Sequence, residues 1–175
     1  MNKFSEVYIS VDVETTGPLP GPNSIISLGA AAIGWDAALS QWRVSDTFSM
    51  NIEQLPMSTL DEKTWVEFWV KNPEAWATAT RNPEPPAYVM LEFQKFLSKV
   101  QNDWQRRPVA VGAPAVFDLA FLRHYMITFL GTDKPFGHSG YDTKSVAATI
   151  LGNKYSDSSK SHFPKEWFRH NQKHT

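Results

Sequence analysis

Apolar and polar residues alternate from position 7 to 14, with Val7, Ile9, Val11 and Val13 interleaved by Tyr8, Ser10, Asp12 and Glu14. A period of two marks a β-strand with one face in a core. A turn-rich loop follows, Gly17-Pro18-Leu19-Pro20-Gly21-Pro22-Asn23. Residues 24–34 are apolar and small (Ile25, Ile26, Leu28, Ala30 to Ala32, Ile33) and predict a buried strand beside the first. Residues 42–52 alternate more loosely through Val44, Phe48, Met50 and Ile52 and predict a third. Short connections between successive strands imply an antiparallel meander.

The period then turns helical. Ser58-Thr59-Leu60-Asp61-Glu62 offers a helix start, and Trp65, Phe68 and Trp69 fall at i, i+3, i+4. Pro73 marks a boundary, a short helical piece covers 74–80, and 81–86 is a proline-rich loop. Over 87–104, Val89, Met90, Phe93, Phe96, Leu97 and Val100 recur at helical spacing. Residues 108–112 predict a short buried strand. Helices are expected over about 116–130 and 142–151, the second opened by Asp142 as its cap. From Gly152 onward the chain is polar and irregular. Strands, helices, a strand and helices again predict one α/β domain over 1–175: a mixed sheet, three antiparallel strands then parallel ones, flanked by helices.

Composition narrows the chemistry. With no cysteine among 175 residues there is no disulfide and no thiolate metal site, so any metal is held by oxygen or histidine. The net charge of −1 argues against a protein that coats duplex nucleic acid through many phosphate contacts. It leaves room for an enzyme that grips a chain end. Seven Trp and eleven Phe fill a core or stack unpaired bases. No stretch reaches membrane-spanning length and no leader-like run opens the chain, so a cytoplasmic location with no membrane partner is expected.

The chemistry gathers at Val11-Asp12-Val13-Glu14-Thr15-Thr16-Gly17. On a strand, Asp12 and Glu14 point to the same face. Like charges side by side destabilise a sheet unless a divalent cation lies between them, and hard oxygen ligands suit Mg²⁺ or Mn²⁺. Alone, Asp-x-Glu also fits a solvated face. The flanking Thr-Thr-Gly, and a third carboxylate at Asp118 where a helix follows the buried strand, turn the balance.

These residues carry a family resemblance. Asp12-Val13-Glu14-Thr15-Thr16-Gly17, followed about a hundred residues on by Phe117-Asp118-Leu119-Ala120-Phe121-Leu122, resembles the DEDD (DnaQ-like) 3′→5′ exonucleases, in their histidine (DEDDh) branch. Trp69-Val70-Lys71-Asn72-Pro73-Glu74-Ala75-Trp76 and Tyr141-Asp142-Thr143-Lys144-Ser145 are similar to a bacterial and phage group of that family. The resemblance implies an RNase H-like fold. It also implies catalytic carboxylates at Asp12, Glu14 and Asp118 that hold two Mg²⁺ or Mn²⁺ ions per site. Thr15, Thr16, Phe117 and Trp65 are the implied substrate contacts, single-stranded DNA or RNA 3′ ends the implied partners, and homodimers occur among relatives. Trp65 also fits a core position.

Two departures stand out. Pro114 occupies a position where the family usually has Asn, and the third motif, His-x-Ala-x-x-Asp, is absent from the 175 residues. The run Phe168-Arg169-His170-Asn171-Gln172-Lys173-His174-Thr175 resembles the approach to that motif. Either the natural protein continues past Thr175, leaving the C-terminal part of the domain incomplete here, or the fourth ligand and histidine base are lost. Activity of this chain is then open between a metal-dependent 3′→5′ exonuclease, a catalytically lapsed binding module of the same fold, and an RNase H-like endonuclease. His138 and Asp142 are four apart and match the third motif poorly; Asp142 fits better as a helix cap.

Overall fold

The computed structural model describes residues 5–168. Its five-stranded sheet has the order β3-β2-β1-β4-β5. Strands β1 (Glu6–Thr15), β2 (Ile25–Asp36) and β3 (Gln41–Asn51) form the antiparallel meander. Strands β4 (Arg107–Gly112) and β5 (Tyr141–Asp142) then run parallel to β1 and β4 respectively. The mixed sheet expected from the sequence is the sheet observed. Strand β5 went unforeseen because two residues carry no periodicity.

Helices α3 (Pro86–Trp104) and α4 (Ala115–Leu130) supply the core with the sheet. The strand alternation is realised directly: Val7, Ile9, Val11 and Val13 are buried, while Asp12 is exposed and Glu14 half-buried. Val89, Met90, Phe93, Phe96, Leu97 and Val100 form the buried stripe of α3, as the helical spacing predicts. Pro86 opens α3 at a position where a missing N–H costs nothing, and Gln105, with φ of 50°, closes it in the left-handed region. No helix among the described residues is long and apolar enough to cross a membrane.

The region between β3 and α3 departs from simple helical expectation. Asp61 caps the single turn α1 (Glu62–Thr64) by accepting the Thr64 N–H at 2.7 Å, and the chain then widens into a π-helix, Trp65–Trp69. The Val70 N–H reaches back to the Trp65 carbonyl at 2.9 Å. That wider turn splits the expected stripe. Trp69 is buried with Ile26 and Ala79, Trp65 packs edge-on to Trp76 with ring centroids 5.1 Å apart, and Phe68 is 44% exposed. A short helix α2 (Pro73–Ala79) follows. Beyond helix α5 (Thr143–Leu151) the irregular tail contains three short 3-10 turns, of which Lys160–His162 bears on the site.

Sheet and helix layer are tied by a buried polar contact. The Ile25 N–H, at the start of β2, donates to the Tyr125 hydroxyl of α4 at 2.9 Å, and Tyr125 is fully buried. Removing that hydroxyl leaves a buried amide without its partner. Tyr125→Phe is expected to cost about 1–3 kcal/mol of stability with an unchanged denaturant slope, read by urea unfolding followed by circular dichroism.

Candidate active site

Strand β1 sets Asp12 and Glu14 on its polar face because the alternate positions are taken by the core. Asp118 arrives from a different element. It lies in the first turn of α4, 4% exposed, with both carboxylate oxygens held by main chain: Oδ1 by the Val13 N–H at 3.2 Å and Oδ2 by the Ala113 N–H at 3.1 Å. The pairing of β1 with β4 ends at Ser10–Val111, so Asp118 takes up a β1 amide that β4 no longer reaches.

The three carboxylates feel one another. Burial, then Asp12, then Asp118 push the Glu14 carboxyl up to about 7, with Lys160 pulling the other way. Burial raises Asp118 as well, against the two amide bonds that favour its charged form. Among the described residues Asp12 and Glu14 have oxygens that accept no hydrogen bond, and the positive group acting on Glu14 and Asp118 is Lys160, at the start of a 3-10 turn. Nothing in the sequence signalled Lys160.

The donor set is therefore all oxygen and short of positive charge, which fits a hard divalent cation. The ligand geometry is not preassembled: among the described residues no three His, Cys, Asp or Glu side chains are close enough together to hold an ion.

Thr15 and Thr16, 5% and 0% exposed, are committed to the strand's end. The Thr15 hydroxyl donates to the Gly17 carbonyl at 2.8 Å, and the Thr16 hydroxyl donates to the Thr59 carbonyl at 3.0 Å while accepting the Ser24 N–H at 2.9 Å. The Trp69 indole N–H donates to the Thr15 carbonyl at 3.1 Å, so the π-helix braces the backbone next to Glu14. Gly17 is required by space: a Cβ there would lie 2.5 Å from the Asn23 side chain, which bridges the Leu19 N–H and the Thr59 carbonyl. Phe117 is half-buried against Phe121, and Pro114 precedes α4 as its N-cap.

Asp142 does cap a helix, accepting the Ser145 N–H at 2.7 Å, and its other oxygen accepts the Ala115 N–H at 2.8 Å. His138 lines a separate cavity of about 430 Å³ with Arg123 and Asp133. Residues His170 and His174, and with them the approach to the third motif, lie outside the described residues.

Asp12 and Glu14 open into a groove of about 930 Å³ that runs past Gly29 and Ser49 to Lys71 and Glu74. Sequence reasoning did not find it, because its floor is assembled from three strands and no local pattern encodes that register.

No family model matches the chain. It is 29% identical over 157 residues to the 3′-5′ DNA exonuclease Cap18 of Escherichia coli, which covers 83% of this chain and 70% of that protein. The nuclease domain of 3′hExo, a DEDDh family member solved with rAMP, superposes with a TM-score of 0.67 at 10% identity, over 90% of this chain and 76% of that one. E. coli Exonuclease I, solved with a dT13 oligonucleotide, gives 0.58 at 14% identity over 83% of this chain, which spans only 30% of it. The two structural matches share the fold: a meander followed by parallel strands with helices against them. With the sequence likeness to Cap18, they show this chain to be similar to 3′→5′ exonucleases, with the fold of the DEDDh nuclease domain of 3′hExo.

Proposed function

We propose that the chain is a metal-dependent exonuclease that hydrolyses phosphodiester bonds stepwise from the 3′ end of single-stranded DNA. The observation that supports this most is the meeting of Asp12, Glu14 and Asp118, mutually repelling and short of positive charge, beside an open polar groove. The likeness to Cap18, a DNA exonuclease, favours DNA over RNA. Asp12 and Glu14 would hold Mg²⁺ or Mn²⁺ through oxygens that accept no hydrogen bond among the described residues, and Asp118 through the lone pairs its amide donors leave. Bound there, two such ions lower the pKa of a water and stabilise charge on the leaving oxygen.

The rest falls to the chain itself. The amides of Val13 and Ala113 hold Asp118 in one orientation, and the indole of Trp69 fixes the backbone after Glu14. Thr15 and Thr16 shape the end of the strand through their buried hydroxyl bonds. Phe117, next to Asp118 in the chain, packs on Phe121, and Trp65 packs edge-on to Trp76; both would act on substrate only through these packed positions. Water adds at phosphorus, the bond to the 3′-oxygen of the preceding nucleotide breaks, and a nucleoside 5′-monophosphate leaves.

Asp12→Ala is expected to lower turnover of a 5′-labelled oligonucleotide by about a hundredfold or more, the scale of losing a group that stabilises transition-state charge. Its circular dichroism should match wild type, since Asp12 is exposed. Full activity in the variant would overturn the reading. Strand binding without turnover by wild type at any Mn²⁺ concentration would instead identify a binding module.

In chelator, pH gives a second test. Glu14 holds its proton to about pH 7 in the fold against an ordinary value of 4.5, so the native state binds more protons than the unfolded chain between those limits. Stability therefore falls as pH rises through that window, and the raised carboxyl of Asp118 adds in the same direction. Glu14→Gln should match wild type in thermal stability below the window and exceed it by a few degrees at pH 8. Mg²⁺ or Mn²⁺ should restore wild type. A difference between the two proteins that is independent of pH would count against this account.

A further inference from the structure

The carboxylates of β1 stand in register with a low polar floor. Asp12 pairs with Gly29 of β2, and Gly29 with Ser49 of β3; Glu14 pairs with Ser27, and Ser27 with Asn51. One row further on the residues are Ala31 and Thr47, and beyond them Ile33 and Val44. The two rows nearest the carboxylates are therefore small and uncharged on β2 and β3. They make a channel about 10 Å long across two strand spacings. Its emptiness at Gly29 is not forced by crowding, since a Cβ there would meet only the Asp12 carbonyl at 3.8 Å.

The far wall is built by the turn into α2 and clamped to β3. The Asn51 side-chain amide donates to the carbonyls of Thr78 and Arg81 at 2.7 and 2.8 Å. Lys71 is the one basic residue among those that line the groove. The ion pairs among the described residues join Arg43 to Asp36, Lys95 to Glu92, Lys99 to Asp46 and Asp103, and Arg123 to Asp133, so Lys71 is in none of them. A groove with Asp12 and Glu14 at one end and, at the other, the Lys71 ammonium, outside those ion pairs though Glu74 also lines that end, suits a polyanion whose reacting phosphate lies at Asp12 and Glu14.

We propose that Lys71 is a substrate-binding residue that holds a phosphate on the 5′ side of the scissile bond, with the Gly29–Ser49 floor as the path of the strand between them. This rests on the exonuclease reading, and the assignment of side follows from substrate chemistry. In a strand ending in a 3′-hydroxyl the scissile phosphate is the last one. Any second phosphate that the groove meets must lie 5′ to it. Lys71 therefore governs how an oligonucleotide is held and has nothing to grip on a mononucleotide ester.

The test compares Lys71→Ala, Lys71→Arg and Ser49→Tyr with wild type on a short single-stranded DNA and on a nitrophenyl ester of thymidine 5′-monophosphate, with Mn²⁺. On DNA, Lys71→Ala should raise KM about tenfold at unchanged kcat, and reduce the slope of log affinity against log salt by about one. Lys71→Arg should restore KM. Ser49→Tyr, which fills the floor away from the carboxylates, should raise KM on DNA. All three should hydrolyse the ester as wild type does. An equal loss on both substrates, or an unchanged KM and salt slope on DNA, overturns the proposal.

Fluorescence anisotropy with labelled DNA separates this from failure of the exonuclease reading. If wild type binds without cutting, that reading falls, while a tenfold weaker Kd for Lys71→Ala with the smaller salt slope still supports the phosphate contact. Wild type that does not bind the strand overturns both.

Discussion

The site depends on one tether: the carboxylate of Asp118, gripped by the amides of Val13 and Ala113 at 3.2 and 3.1 Å. Val13 belongs to β1 and Ala113 to the turn that leaves β4, so one side chain joins the central strand, a crossover turn and the first turn of α4. A buried carboxylate without such donors would be forced to neutralise. The two amide bonds favour its charged form against the burial that raises its pKa. Its placement also reaches Glu14, where it adds to burial and Asp12 in raising the carboxyl to about 7.

That repulsion is a cost carried by the resting fold. The strand could relieve it by placing a neutral residue at position 14, and the surrounding structure shows what would be given up. The backbone after Glu14 is held by the Trp69 indole, which the π-helical turn swings inward, and by the buried hydroxyls of Thr15 and Thr16. Wide helical turns are costly and recur at functional sites. Here the turn puts Trp69 inside while leaving Phe68 outside, and thereby positions the Lys71 segment as a wall of the groove. Stability in this region is arranged around the carboxylates rather than in spite of them.

Elements whose information is local were readable from the sequence. The alternation of Val7, Ile9, Val11 and Val13, the stripe of α3 and the cap at Asp142 each depend on neighbours a few residues away. The first two carboxylates share that property, since i and i+2 on a strand need no tertiary knowledge. Asp118 was found through its motif, but the amides that hold it lie 105 and 5 residues away in sequence, and only folding discloses the first. The π-helix defeated an α-helical count over Trp65, Phe68 and Trp69 because one extra residue per turn rotates everything after it. Strand β5 was too short to carry a period, and Lys160 came from a tail with no pattern at all.

The groove shows why such losses concentrate where several strands meet. Gly29, Ser27, Ser49 and Asn51 look unremarkable along the chain, being small or polar residues in strands that also carry Ala31, Thr47 and Ile33. Their meaning comes from register: a one-residue slip of β2 would turn Leu28 and Ala30 toward the carboxylates and bury Ser27 and Gly29 in the core. The buried Leu28 and Ala30 forbid that slip through hydrophobic burial. The apolar face of the sheet thus fixes the register that the polar face needs, and a low floor beside Asp12 and Glu14 follows from packing on the opposite side of the same strands.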